Sequence, residues 1–169
     1  MDVRTDELRI DLPDADATDR LGQALARTRP ASAVVHLHGD LGAGKSTLAR
    51  ALLRALGVSG TIRSPTYTLI ERYPLQDGGE AWHLDLYRIA DAGELDFLGL
   101  DEGAAVLWLI EWPDRGRGHL PPADLEVHLD VDGAGRRARL IVRTPVGAEW
   151  TGQAGAIARV DPSLRVISE

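Results

Sequence analysis

With 169 residues, 44% of them hydrophobic, the chain has enough apolar material to bury one core without disulfides or a structural metal. The absence of cysteine excludes thiol nucleophiles, zinc ribbons, iron–sulfur clusters and disulfide scaffolds. A formal charge of −7 argues against bulk attraction to nucleic acid or to an anionic membrane, while leaving local arginine clusters free to make contacts.

The N-terminal MDVRTDELRI has no apolar signal core, and the longest strongly apolar stretch, AAVLWLI at 104–110, is too short to span a bilayer. A soluble, cytoplasmic protein without a membrane partner is expected. ELRIDLP (7–13) reads as a strand, and ADATDRLGQALART (15–28) as a helix whose stripe of Ala17, Leu21, Ala24, Leu25 and Thr28 has helical spacing. SAVVHLHG (32–39) is a short apolar strand. After a glycine-rich loop, STLARALLRALG (46–57) is a helix that buries Leu48, Leu52, Leu53 and Leu56, with Gly57 suited to its C-terminal cap. YTLIERY (67–73) and AWHLDLYR (81–88) alternate as half-buried strands and form an antiparallel hairpin about the QDGG turn at 76–79. A short helical segment with a break at Gly99 is predicted over 92–104, followed by AVLWLIE (105–111), apolar throughout as a strand covered on both faces is. DLEVHLD (124–130) and RRARLIVR (136–143) form a second hairpin joined at Val131 to Gly135. The Gly- and Ala-rich stretch from Thr144 has weak periodicity, so residues 144–169 are expected to be a tail with little structure. No repeat or long linker divides the chain, and the order of elements predicts a single α/β domain with a sheet of mixed direction flanked by helices.

GDLGAGKST (39–47) holds the only lysine, every other member of the 19 basic residues being arginine. Gly39, Gly44, Lys45 and Ser46 match G-x-x-x-x-G-K-[ST] between an apolar strand and an amphipathic helix, the context that pattern requires. Its glycines let consecutive N–H groups from Leu41 to Ser46 (Leu41, Gly42, Ala43, Gly44, Lys45, Ser46) converge on a polyphosphate at the positive end of a helix dipole. A compact ammonium reaches between the terminal phosphates where a guanidinium fork does not fit, which accounts for lysine at 45. The Ser46 hydroxyl is placed to ligate Mg²⁺ and Thr47 to bond an inner phosphate. These residues predict a P-loop NTPase-like domain over 1–143. An acidic metal partner is expected at the end of a neighbouring apolar strand, and two candidates exist, Glu111 closing AVLWLIE and Asp85 within AWHLDLYR. In the RSPTYT segment (63–68), Thr66 is a candidate to approach the terminal phosphate or the metal.

Four blocks, GDLGAGKST, SPTYTLIERY, HLDLYRI with ELDFLGLDE, and LIEWPDRG with LPPADLEVHLD, occur in the order seen in the TsaE family of bacterial ATPases (formerly YjeE), which this chain resembles over about residues 10–143. The resemblance implies a small P-loop ATPase that binds ATP through Gly39, Asp40, Leu41, Gly42, Ala43, Gly44, Lys45, Ser46 and Thr47, with Ser46 and Glu111 holding Mg²⁺. It implies that Asp85 is needed for activity, that SPTYT is switch-like, and that Ala15, Gly135 and Arg136 lie on the adenine side. It further implies that the protein works with TsaB and TsaD in making N6-threonylcarbamoyladenosine at position 37 of tRNAs reading ANN codons, meeting tRNA only through that complex. Ser46 stands where threonine is more usual, and the tail after Thr144 does not match well.

Elsewhere, the five histidines (36, 38, 83, 119, 128) show no metal-ligand motif spacing and read as solvated or strand-surface side chains. Arg136, Arg137, Arg139 and Arg143 read as a basic strand face, and Asp91, Glu94, Asp96, Asp101 and Glu102 as a solvated acidic surface. Three functions compete: an ATPase subunit in which Asp85 or Thr66 positions the attacking water, a small-molecule kinase, and a nucleotide-gated binding module. The kinase needs an arginine-bearing lid that the sequence does not display. A guanine switch is excluded because N-K-x-D needs a lysine outside the loop.

Overall fold

A computed structural model describes residues 7–103 and 105–167. Residues 1–6 of the expected domain, Ala104 at the end of the expected 92–104 segment, and the last two residues of the tail lie outside the described residues. Two-residue alternation and helical spacing sort the chain into β1 (Glu7–Leu12), α1 (Ala15–Arg27), β2 (Ala33–His38), α2 (Lys45–Ala55), β3 (Ile70–Pro74), β4 (Glu80–Asp85), β5 (Ala105–Glu111), β6 (Leu125–Asp132), β7 (Gly135–Val142), α3 (Pro145–Val160) and β8 (Arg165–Ile167). Short 3-10 turns occupy Ala92–Phe97, Leu100–Glu102 and Pro113–Gly116.

The strands make one mixed sheet in the order β3-β4-β5-β2-β6-β7-β1-β8. β4, β5, β2 and β6 run parallel, and antiparallel partners β3, β7, β1 and β8 extend both edges. Alternate residues Ile10, Leu12, Val35, Leu37, Val127, Leu129, Ala138 and Leu140 join Leu21, Leu25, Leu48, Leu52 and Trp150 of the helices in the main core. A smaller core of Trp82, Leu84, Leu86, Leu95 and Ile110 covers the opposite face at β4 and β5. These two strands are therefore covered on both sides, as the unbroken apolar run of β5 predicts. Helices α1 and α2 cross closely at Gly22, where a Cβ would meet the Ala51 Cβ at 2.7 Å.

Three expectations are corrected. Of the expected tail, residues 144–167 are structured: Thr144 caps α3 by accepting from the Gly147 N–H, Pro145 opens it, and the buried Trp150 donates from Nε1 to the Leu25 carbonyl at 3.0 Å. β8 then adds to the free edge of β1. The strand expected from Tyr67 begins at Ile70, because the Leu69 N–H closes a turn onto the Pro65 carbonyl and Leu69 has φ 66°. The strand expected to reach Arg88 ends at Asp85, where the Leu86 N–H turns to the Glu111 carbonyl.

Candidate functional site

Parallel strands β2, β4 and β5 end side by side, and the loop after β2, Asp85 at the end of β4 and Glu111 at the end of β5 meet there. Open parallel sheets place their clefts outside the carboxyl ends of strands. Asp85 and Glu111 are register partners. Strand periodicity also puts His83 on the side of β4 that carries Asp85, and all three side chains are buried.

The loop takes its shape from backbone geometry. Gly39 has φ 149° and passes so close to β6 that a Cβ there would sit 2.5 Å from the Leu129 carbonyl oxygen, so a larger residue is sterically barred. Gly44 is left-handed at φ 106° and starts α2 without a side-chain cap. By contrast α1 and α3 are capped by Asp14 and Thr144. The first-turn N–H groups of α2 thus keep their capacity for an external anion, and the first turn carries Lys45 with no acidic residue.

Lys45 is 4% exposed. Its ammonium donates to the Gly39 carbonyl at 2.5 Å and to the Asp40 carbonyl at 2.9 Å, and lies 4.5 Å from the centre of the Trp112 ring. Burial lowers its pKa, opposed by the charges of Glu111, Asp85 and Asp40. Glu111, 2% exposed, is the hub of the site. The Ser46 hydroxyl donates within 2.9 Å of Oε1 and 3.0 Å of Oε2, and His83 Nε2 lies 2.6 Å from Oε2. These two groups replace water around a carboxylate whose isolated burial costs several kcal/mol. Asp85 accepts the Tyr87 N–H at 3.0 Å, and burial raises its pKa, with the neighbouring Glu111 charge adding to the rise.

A cavity of about 500 Å³ opens over this floor and is lined by Leu41, Gly42, Gly44, Lys45, Ser46 and Thr47, by Thr66, Asp85 and Glu111 from three further segments, and by Tyr87, Arg88, Trp112 and Arg136. Gly39, Asp40 and Ala43 support the loop from behind: the first two give their carbonyls to Lys45, and Ala43 is buried and bonds to the Asp40 carbonyl. A smaller cavity of about 180 Å³, lined by Ala15, Gly135, Arg136 and Thr47 among others, shares Gly44, Thr47 and Arg136 with the first. The sequence-predicted residues are therefore brought together in two adjoining spaces. Arg136 has a contact that the sequence did not reveal, since its guanidinium donates to the Ala43 and Gly42 carbonyls, each at 3.1 Å, and braces the loop.

His83 is the principal residue that sequence reasoning misplaced. It is fully buried and bonded to Glu111 rather than solvated or on a strand surface, because β4 is covered on both faces. Its spacing two before Asp85 on one strand was the available signal. Trp112 at φ 57° turns the chain after β5 and lies tilted at 48° beside Tyr87, ring centres 5.1 Å apart.

A strand, a glycine loop bracing a buried lysine, an uncapped helix start and a hydroxyl on a buried carboxylate define the class of P-loop proteins. The chain belongs to the TsaE family, matching the family described as Threonylcarbamoyl adenosine biosynthesis protein TsaE over residues 12–139. It is 45% identical to the tRNA threonylcarbamoyladenosine biosynthesis protein TsaE of Haemophilus influenzae over 116 residues, covering 68% of this chain and 73% of that one. The protein of the same name from Aquifex aeolicus is 34% identical over 78% of this chain and 93% of its own length. The crystal structure of Bacillus subtilis YdiB superposes with a TM-score of 0.68 over 90% of this chain and 95% of that one at 24% identity, a likeness of fold. Among the described residues no helix is long and apolar enough to cross a membrane.

Proposed function

We propose that this chain binds ATP with Mg²⁺ and hydrolyses it in support of threonylcarbamoylation of adenosine 37 in tRNAs reading ANN codons, acting in the cytoplasm with TsaB and TsaD. Its membership of the TsaE family supports the pathway, and the Ser46–Glu111 contact beside the buried Lys45 supports the chemistry.

In this reading the N–H groups of Leu41 to Ser46 and the α2 dipole hold the phosphates. Lys45 turns from the Gly39 and Asp40 carbonyls toward the terminal phosphates, and Thr47 bonds an inner one. Ser46 and Glu111 offer two hard oxygen donors at the cavity floor, the ligand type Mg²⁺ prefers. Bound there, Mg²⁺ would supply charge neutralisation across the phosphates. Asp85 and Thr66 face the same cavity and orient the attacking water. The raised pKa of Asp85 makes it a better proton acceptor than an ordinary surface carboxylate. The adenine ring lies toward Ala15, Gly135 and Arg136.

Turnover of Mg²⁺-ATP measured with and without the TsaB–TsaD pair, beside a screen of metabolite phosphate acceptors, tests this. Slow hydrolysis that rises when the pair is added is expected. Phosphorylation of a metabolite with no response to the pair would establish the kinase alternative.

A further inference from the structure

The face of β2 opposite the main core carries a second polar cluster, which ends at His38, one residue before the loop. His36 and His38 of β2 point opposite to Val35 and Leu37, and the β2–β6 register sets Glu126 beside His36 and His128 beside His38. One ring nitrogen from each of His36 and His38 and one carboxylate oxygen of Glu126 all lie within 4.8 Å of one another, and all three residues are half-buried. We propose that His36, His38 and Glu126 form a binding site for a divalent transition metal ion, with Zn²⁺ as the best chemical match.

Two imidazoles and a carboxylate are the borderline nitrogen and oxygen set that zinc takes in three-ligand sites, with water completing the tetrahedron. Metal–ligand lengths near 2.0 Å put tetrahedral ligand atoms about 3.3 Å apart, so the widest pair must close by at most about 1.5 Å. The surroundings fix each ligand. His36 Nε2 lies 3.1 Å from the Pro121 carbonyl, which only accepts, so this nitrogen carries the proton and Nδ1 keeps its lone pair. The His38 ring stacks on His128 at 4.3 Å and 5°, which sets its plane. Arg143 holds Glu126 through Oε2, while Oε1 accepts from His38 Nε2 at 3.1 Å, a proton that a bound ion would displace. Of the nearby cations, Arg139 is compensated by Glu7 and Asp130, and Arg143 shares Glu126 with the site through Oε2. Burial lowers the His36 pKa, which favours the neutral ring that a metal needs.

The test is a titration of the full chain, free of any histidine tag, with ZnCl₂ against a chromogenic chelator, and with CoCl₂ read by visible absorbance. One ion per chain at micromolar concentration and tetrahedral cobalt bands are expected. His36→Gln, His38→Gln and the isosteric Glu126→Gln should each weaken binding by about tenfold or more and bleach the cobalt bands. Binding of Mg²⁺-ATP, measured separately, should be unchanged in all three. Absence of stoichiometric Zn²⁺ binding, equal binding in the variants, or loss of binding in Glu111→Gln instead would overturn the proposal.

Discussion

At the scale of single residues, the site is a small set of buried charged side chains, each held by hydrogen-bond partners of its own. Glu111 is held by a hydroxyl and an imidazole, and the Lys45 ammonium by two carbonyls of its own loop. Glu111→Gln keeps the shape and the Ser46 contact but removes the charge. It should raise the Mg²⁺ concentration needed for half-maximal hydrolysis by at least about tenfold while leaving metal-free ATP binding nearly intact, as calorimetry with and without Mg²⁺ will read. Asp85 gives a stability prediction with a definite sign. Burial raises its folded pKa above the unfolded value, so the ionised side chain destabilises the fold at neutral pH. Asp85→Asn, which keeps an acceptor for the Tyr87 N–H, should unfold at higher denaturant than the parent at pH 7. That advantage should shrink as pH falls through the folded pKa and vanish below the ordinary carboxylate range, a profile that chemical denaturation across pH will show. The loop, Ser46, Glu111 and Asp85 were legible because a short motif and the ends of apolar strands announce them. His83 was not, because alternation in β4 resembles a half-exposed strand until the main core is known to cover the face that His83 shares with Ala81.

At the scale of elements, the clearest difference between sequence and structure is α3. Its run of Gly and Ala gives little apolar contrast around the helix, so periodicity was weak where small residues pack as closely as large ones. The Thr144–Pro145 pair was the legible signal, a cap followed by proline at the first helical position. The element is integral to the fold: Asp124 accepts from the Thr144 hydroxyl at 2.7 Å and from the Val34 N–H at 2.8 Å, tying the helix start to β2. Trp150→Ala removes a core aromatic and leaves the Leu25 carbonyl without its donor, so it should cost about 3–5 kcal/mol in urea unfolding. A tail that only decorated the domain would tolerate the same change within about 0.5 kcal/mol.

At the scale of the whole molecule, the sheet explains where the chemistry sits. Parallel strands β2, β4 and β5 deliver the loop, Asp85 and Glu111 to one end, while antiparallel strands extend both edges and β7 brings Gly135 and Arg136 to the rim of the site. The mixed α/β architecture was legible from the order of elements, whereas the strand order, with β2 between β5 and β6, depends on long-range pairing that no local pattern encodes. The central claim is that the loop and its buried lysine grip a nucleoside triphosphate. Calorimetric titration of the full chain with Mg²⁺-ATP, beside Lys45→Ala shown to be folded by circular dichroism, tests it most directly. One site is predicted in the parent, with affinity reduced about 10- to 100-fold or lost in the variant. No heat of binding in the parent at millimolar nucleotide, or equal affinity in the two proteins, would contradict it.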